Sequence, residues 1–582
     1  MLYRLYAALF PDGGASFNYS PALHVDKSHL FSRGCREMWI FNRPLPLWLA
    51  AEARDGMERL CAGKKQPIGP KDFNALLRKT ASGVSEGPAG DGFARAGWER
   101  EVLDNVPGEY GEELRLAEDP EVSGRILLEA ELLRRGRQNG LQPGRLLAGL
   151  QKEILEGTAS RRPGVEPAGK YAWVCGRCGE RDQFYVGFCP VCRAADCVLC
   201  LACRQMGEVR RCQGIYTFAA PPGDGETPDA PFFSAPLTPA QREISGKLVD
   251  WYKSAGQSEL LLWAVCGAGK TEIIFPLLAH ALKDGKRILI ASPRREVLKE
   301  LDGRFTAAFP GLAAAFLTGE SRRIPAGAKI YLATAHQVLR FFRFFDLIIL
   351  DEEDAFPYHE NRMLPFAVHR SRAAEGKTVY LTATPRRRLW ERLQKDSLPV
   401  LILPERYHGF ALPEPRYVRT PALNSGRIDW IERHLQEHIL ESIQRKRIML
   451  VFYPTIRRMR EDIPAWESWC HARDYSFGHV HADDPGRAGK IEALRRGDCH
   501  VFLSTTVLER GVNFRGVDAA VLYADEERIY RREVLVQIAG RVGRYADDQD
   551  GKVYFFGGME GREMKEAAAM IRYLNRLAGK TG

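Results

Sequence analysis

The residues best equipped for chemistry sit in Ala264-Val265-Cys266-Gly267-Ala268-Gly269-Lys270-Thr271. Gly267, Ala268 and Gly269 leave backbone N–H groups free to close around a β-phosphate. Lys270 reaches the β/γ oxygens of ATP, and the Thr271 hydroxyl can hold Mg²⁺. A second set, Asp351-Glu352-Glu353-Asp354, follows the apolar run 347–350. Asp351 is placed to hold Mg²⁺, directly or through water, and Glu352 to polarise the water that attacks a γ-phosphate. A third set, Gln537-Ile538-Ala539-Gly540-Arg541-Val542-Gly543-Arg544, puts two arginines three apart on one helical face. Arg541 and Arg544 read as fingers that neutralise charge on a transferring phosphoryl group, with Gln537 beside them. Each set has a bland reading: a glycine turn, a solvated acidic loop, a basic helix end. Their joint occurrence in one chain argues against all three.

Further residues extend this reading. Gln241, just ahead of the loop, can read an adenine edge with its amide, which both donates and accepts. Thr382 and Thr384, in Leu381-Thr382-Ala383-Thr384-Pro385, can couple loss of the γ-phosphate to movement between lobes. Arg294, Thr334 and His336 sit at strand ends, where guanidinium, hydroxyl and imidazole groups can hold a nucleic-acid backbone. The stretch Ser504 to Val512 adds Thr505 on the DNA side and Gly511 on the nucleotide side.

A separate chemistry is written in cysteine. Eight of the 13 cysteines fall between Cys175 and Cys212: Cys175, Cys178, Cys189, Cys192, Cys197, Cys200, Cys203 and Cys212. Two residues between cysteines place both thiolates on one turn, at an angle that tetrahedral zinc accepts. Four thiolates leave no open position, so such a zinc is structural. Eight ligands allow one or two Zn²⁺, paired either sequentially or by interleaving. Cys266 reads as part of the phosphate loop and not as a ligand. Arginines and aromatic rings stud the block, which suits either single-stranded DNA binding or a small core with a solvated rim.

These groups need elements to hold them. Strand-like runs at 260–263, 287–291, 330–334, 347–350 and 379–382 alternate with helical patterns, the signature of an open parallel sheet. A second such lobe is expected from the strands 448–453 and 501–503. The fold class expected is α/β: two RecA-like parallel-sheet lobes preceded by a cysteine-rich zinc module and an N-terminal mixed α/β region. The expected domains are 1–165, without evident chemistry; 170–215, the zinc module; 216–236, a proline-rich linker; 237–420, lobe one; and 421–582, lobe two. Within 120–156 two amphipathic helices are expected, the first carrying Ile126, Leu127 and Leu128. Residues 83–92 read as a connector.

The chain's 582 residues allow three or four domains, and 45% hydrophobic with 27% charged residues is ordinary for a soluble protein. A net charge of +10 permits nucleic-acid binding without requiring it. No run is long enough to span a bilayer, and a cytoplasmic location is expected, with any membrane contact made through partners.

The series 267–271, 351–354, 382–385, 505–512 and 537–544, in that order, resembles the superfamily-two DNA helicases and translocases. With the upstream cysteines, and with Cys203-Arg204-Gln205-Met206-Gly207, Asp354-Ala355-Phe356-Pro357 and Arg406-Tyr407-His408-Gly409, the chain resembles the late competence protein ComFA family. The resemblance implies an ATP-driven, single-stranded-DNA-dependent motor on the cytoplasmic side of a DNA-uptake channel, acting with other competence proteins. Glu353 departs from that family, which commonly has an apolar residue there. The alternative is a PriA-like helicase for replication restart; the zinc block ahead of the phosphate loop favours the first reading.

Overall fold

A computed structural model describes the chain apart from residues 1, 11–14, 34, 36, 43–44, 62–97, 104–113, 170–171, 222–235, 320–323, 326, 355–361, 421–427, 510–513 and 581–582. The expected connector at 83–92 and Gly511 therefore lie outside the described residues.

Two parallel, RecA-like sheets form the two large lobes. The first has seven strands in the order 314–317, 330–334, 288–292, 345–351, 372–382, 259–264, 400–403. Its central strands are continuous apolar runs because helices cover both faces. Leu260 to Ala264 and Leu347 to Leu350 are buried throughout. The second has six strands in the order 416–419, 553–557, 517–521, 448–452, 501–504, 477–480.

Strand Arg416–Arg419 pairs with Val553–Gly557, so the chain has entered the second sheet before the boundary expected at 420/421. The final helix, Arg562–Leu577, also leans back on the first lobe. Tyr573 stacks on Trp263 at 5.9 Å, and the Asn575 amide bonds both the N–H and the C=O of Leu412.

Ahead of the two lobes, an antiparallel sheet in the order 15–20, 2–9, 37–41, 98–102 carries helix Leu47–Cys61. Next, strand Gly214–Phe218 lies between Ile126–Leu128 and Ala159–Pro163. Ile126 to Leu128 is thus a strand and not the start of a helix. Its apolar run is drawn into a sheet by a partner nearly ninety residues away, which local periodicity cannot register. For the same reason residues 216–218 are strand and not linker, and the sheet crosses the boundary expected at 165/170. Helices Glu129–Gln138 and Pro143–Glu156 follow as amphipathic elements, burying Leu132, Leu146 and Leu150.

Candidate functional site

Strand Glu259–Ala264 delivers the loop, and helix Lys270–Lys283 leaves it. Gly267 and Gly269 have φ of +83° and +75°, a region that only glycine enters without strain. Gln241 sits directly behind: a Cβ on Gly269 would come within 2.5 Å of its amide nitrogen. Its Nε2 donates to Ala268 O at 2.7 Å, and its Oε1 accepts from Thr238 N at 2.9 Å within a capping box. The amide expected to meet adenine therefore braces the phosphate loop and caps helix Pro239–Lys253.

Strand Phe345–Asp351 brings the acidic cluster to the same sheet edge. Burial, then the Glu352 charge, pushes the Asp351 carboxyl up to about 6, with Lys270 pulling the other way. A divalent cation held by Asp351 and Thr271 would favour the ionised carboxylate, so the donor set fits Mg²⁺. Glu352 has φ of +53°, costly for a non-glycine residue and common where a side chain must be aimed. Its N–H donates to Asp351 Oδ1 at 3.0 Å. The other two acids turn inward. Glu353 accepts from Arg386 Nε at 2.9 Å, which accounts for an acid where an apolar residue is common. Asp354 accepts from Thr382 Oγ1 at 2.7 Å and from Thr384 Oγ1.

The second lobe supplies the opposite wall through helix Arg532–Ala539 and the residues after it; Arg541 and Arg544 fall in the turn beyond the helix, where Gly543 has φ of +65°, and not on the helical face expected of them. Gln537 Nε2 donates to Thr384 Oγ1 at 3.3 Å, and its Oε1 accepts from the Cys266 thiol at 3.1 Å. A continuous hydrogen-bonded path thus joins the phosphate loop, Gln537, Thr384 and Asp354. Gly540 permits it: a Cβ there would lie 2.5 Å from Cys266 Cβ. Arg541 is buried, and its Nε donates to Glu509 O at 2.8 Å; Arg544 Nε donates to Gly540 O at 3.0 Å.

Of the four residues assigned to DNA, Arg294, Thr334 and His336 come from adjoining strand ends of lobe one, where Ser292 and Thr334 are in register, and Thr505 comes from lobe two. Arg294 spans the lobes, with Nη2 3.3 Å from Glu509 Oε1 and Nε 3.9 Å from Glu352 Oε2. Thr334 ends strand Ile330–Thr334. His336 precedes a short 3₁₀ turn, and burial lowers its pKa. Thr505 is buried at the end of strand Val501–Ser504. Beyond Asp354 an open cleft of about 1090 Å³ lies between the lobes, lined by arginines such as Arg386 and Arg531 and by acids such as Glu391 and Glu566, with Trp390 and Tyr573. Sequence reasoning passed over this cleft and Arg386, and took Arg406 only as part of a run that carries the family resemblance. Arginines are common at surfaces, and no spacing marks these as convergent.

The eight cysteines separate into Cys175, Cys178, Cys200, Cys203 and Cys189, Cys192, Cys197, Cys212, each set with its sulfurs within 4.8 Å of one another. The pairing interleaves. Separations of 3.5 Å (Cys178–Cys200), 3.7 Å (Cys200–Cys203) and 3.8 Å (Cys175–Cys203) match the roughly 3.8 Å edge of a tetrahedron with zinc–sulfur bonds near 2.3 Å. The first set belongs to a core continuous with the back of lobe one, where Arg370 Nη1 donates to Gly176 O at 3.1 Å. The second belongs to the core of the N-terminal sheet, where Arg211 stacks on Trp48 at 3.8 Å and pairs with Glu52 at 2.8 Å.

Three family models match: the Competence protein ComFA N-terminal domain over 121–217, the Type III restriction enzyme res subunit over 234–387, and the Helicase conserved C-terminal domain over 430–546. Competence protein ComFA of Bacillus subtilis (strain 168) is 34% identical over 420 residues, 71% of this chain and 87% of that protein. Competence protein ComFA of Streptococcus pneumoniae is 34% identical over 401 residues, 65% of this chain and 86% of that protein. Replication restart protein PriA of Synechocystis is 26% identical over 237 residues, 37% of this chain and 28% of that protein.

Proposed function

The chain belongs to the ComFA family of competence proteins, and from that premise we propose that it is an ATP-driven motor on single-stranded DNA that serves DNA uptake. The observation that carries this is the path Cys266–Gln537–Thr384–Asp354, which makes the nucleotide loop of one lobe and the helix that leads to Arg541 and Arg544 in the other a single unit. Lys270 and the loop amides would hold the β- and γ-phosphates. Asp351 and Thr271 would hold Mg²⁺, which supplies charge neutralisation when bound. Glu352 would orient the attacking water. Arg541 and Arg544, which donate through Nε to lobe-two carbonyls, would turn their guanidinium edges to the phosphoryl group. Loss of that group would be felt by Thr384 and passed to Asp354.

A strand bound by charge and stacking would show salt-sensitive and sequence-tolerant affinity; the interlobe cleft offers it Trp390 and Tyr573, with arginines interspersed among acids of nearly equal number. Two zinc ions, one in each cysteine set, would be structural. Among the described residues no helix is long and apolar enough to cross a membrane, so contact with an uptake channel would be made through partner proteins on the cytoplasmic side. ATPase rates on single-stranded, duplex and forked DNA test the reading. Strong stimulation by plain single strands is expected. Stimulation confined to forks would favour replication restart instead.

A further inference from the structure

Arg406 follows Val400–Leu403, the last strand of the first sheet, and is 3% exposed. The Tyr407 N–H donates to Gly267 O at 3.0 Å, so the backbone at this point is tied to the phosphate loop. The guanidinium crosses to the other lobe. Its Nη1 donates to Val542 O at 3.0 Å and also to Gly543 O. Those carbonyls lie just beyond helix Arg532–Ala539, where backbone acceptors have no intrahelical donor, and between Arg541 and Arg544. Gly543, with φ of +65°, leaves the room: a Cβ would stand 3.3 Å from Arg406 Nη1. Nε and Nη2 of Arg406 are buried and have no hydrogen-bond partner in the protein. A buried guanidinium in that state is costly until an acceptor takes the remaining N–H groups. Beside the phosphate loop, the acceptor of fitting charge is a phosphate oxygen.

We propose that Arg406 is a positioning residue that ties nucleotide occupancy of the phosphate loop to the seating of the Arg541–Arg544 segment. One edge of its guanidinium holds the second lobe, and the rest is completed by bound nucleotide phosphate. The proposal rests on the ATPase reading for its nucleotide half only. The lobe-holding half stands on the bonds to Val542 and Gly543.

The test uses the full zinc-loaded chain. Cys266 lies under Gly540 at the lobe contact, so its alkylation by iodoacetamide, followed by peptide mass spectrometry without nucleotide, reports separation of the lobes. Arg406→Met is expected to raise that rate by at least about tenfold and to lower kcat for ATP by at least about tenfold, at unchanged zinc content and far-UV circular dichroism. Arg406→Lys keeps N–H donors for the two carbonyls on a single nitrogen but lacks the separate edge that Nε and Nη2 present. It is expected to restore slow alkylation, keep kcat within about threefold of wild type, and raise KM for ATP by at least about fivefold. Alkylation of Arg406→Met within about twofold of wild type overturns the lobe-holding role. A KM for Arg406→Lys within about twofold of wild type overturns the nucleotide role, and decides the proposal if Arg406→Met does not fold. A wild-type protein without ATPase activity would sink the functional reading while the alkylation arm still decides the latch.

Discussion

Asp351 is the carboxyl on which the titration of the site turns. Burial holds its proton up to about 6, so acid takes away the charge needed to hold Mg²⁺. We expect kcat/KM for ATP to fall by one proton's slope below about pH 6, and the kcat limb to lie at lower pH because bound cation favours the ionised form. A pH–rate profile flat down to pH 5 would remove Asp351 from that role. Lys270→Ala should cost at least about a hundredfold in DNA-stimulated hydrolysis while DNA binding persists. Hydrolysis at the wild-type rate would mean that the phosphate site lies elsewhere.

At the scale of elements, the glycines after helix Arg532–Ala539 matter as much as the arginines. Gly540 gives Cys266 its place, so Gly540→Ala should prise the lobes apart and lower kcat by about tenfold or more. Cys266→Gly in the same chain should recover part of the loss, because it removes the Cβ and sulfur that the new methyl would meet but also the thiol that donates to Gln537. A double-mutant cycle without coupling would contradict the packing. This contact was only half legible in the sequence. The glycine–arginine spacing and the strand–loop–helix order announced two lobes and their catalytic edge, because buried parallel strands are written as local apolar runs. That Cys266 and Arg406 meet the second lobe was not legible, since nothing local records what a loop faces across a cleft. The strand Ile126–Leu128 and the early crossing at Arg416 escaped for the same reason: their partners are remote in the chain. Gln241 shows the converse. Its amide was recognised as important, but the capping box, readable from Thr238 and Gln241 three apart, is what occupies it.

On the scale of the whole molecule, the two cysteine sets rivet different bodies, one to the back of lobe one and one to the N-terminal sheet. Elemental analysis should return two Zn²⁺ per chain. Cys200→Ser should lose one and loosen the motor contact, and Cys197→Ser should lose the other and free the N-terminal sheet to limited proteolysis. Fewer than one Zn²⁺ per chain would refute the assignment. The N-terminal body has a weak point of its own. Asp26, fully buried, accepts from Tyr6 at 2.6 Å and Gln151 at 2.8 Å, and burial raises it from 3.8 to about 6. The folded state therefore keeps a proton that the unfolded chain releases between those values. Stability is highest below the lower value, falls as pH rises through the window, and has lost up to about 3 kcal/mol above it. Thermal unfolding of Asp26→Asn should show less of that fall, and identical pH dependence of the two proteins would exclude Asp26 as its source.

The order of synthesis gives the interleaved cysteines a further meaning. Cys189, Cys192 and Cys197 lie between Cys178 and Cys200, while Cys212 lies beyond both sets' other members. The ribosome thus completes one set at Cys203 and the other nine residues later, before any residue of lobe one exists. Domains fold as they emerge. On the zinc reading, metal could be loaded before lobe one folds, and the finished face would be the template on which the back of lobe one later settles. A cell starved of zinc during translation would then make motor lobes whose apolar back has nothing to land on. The outcome would be misfolded chains cleared by proteases, and not a pool of idle enzyme that zinc could later revive.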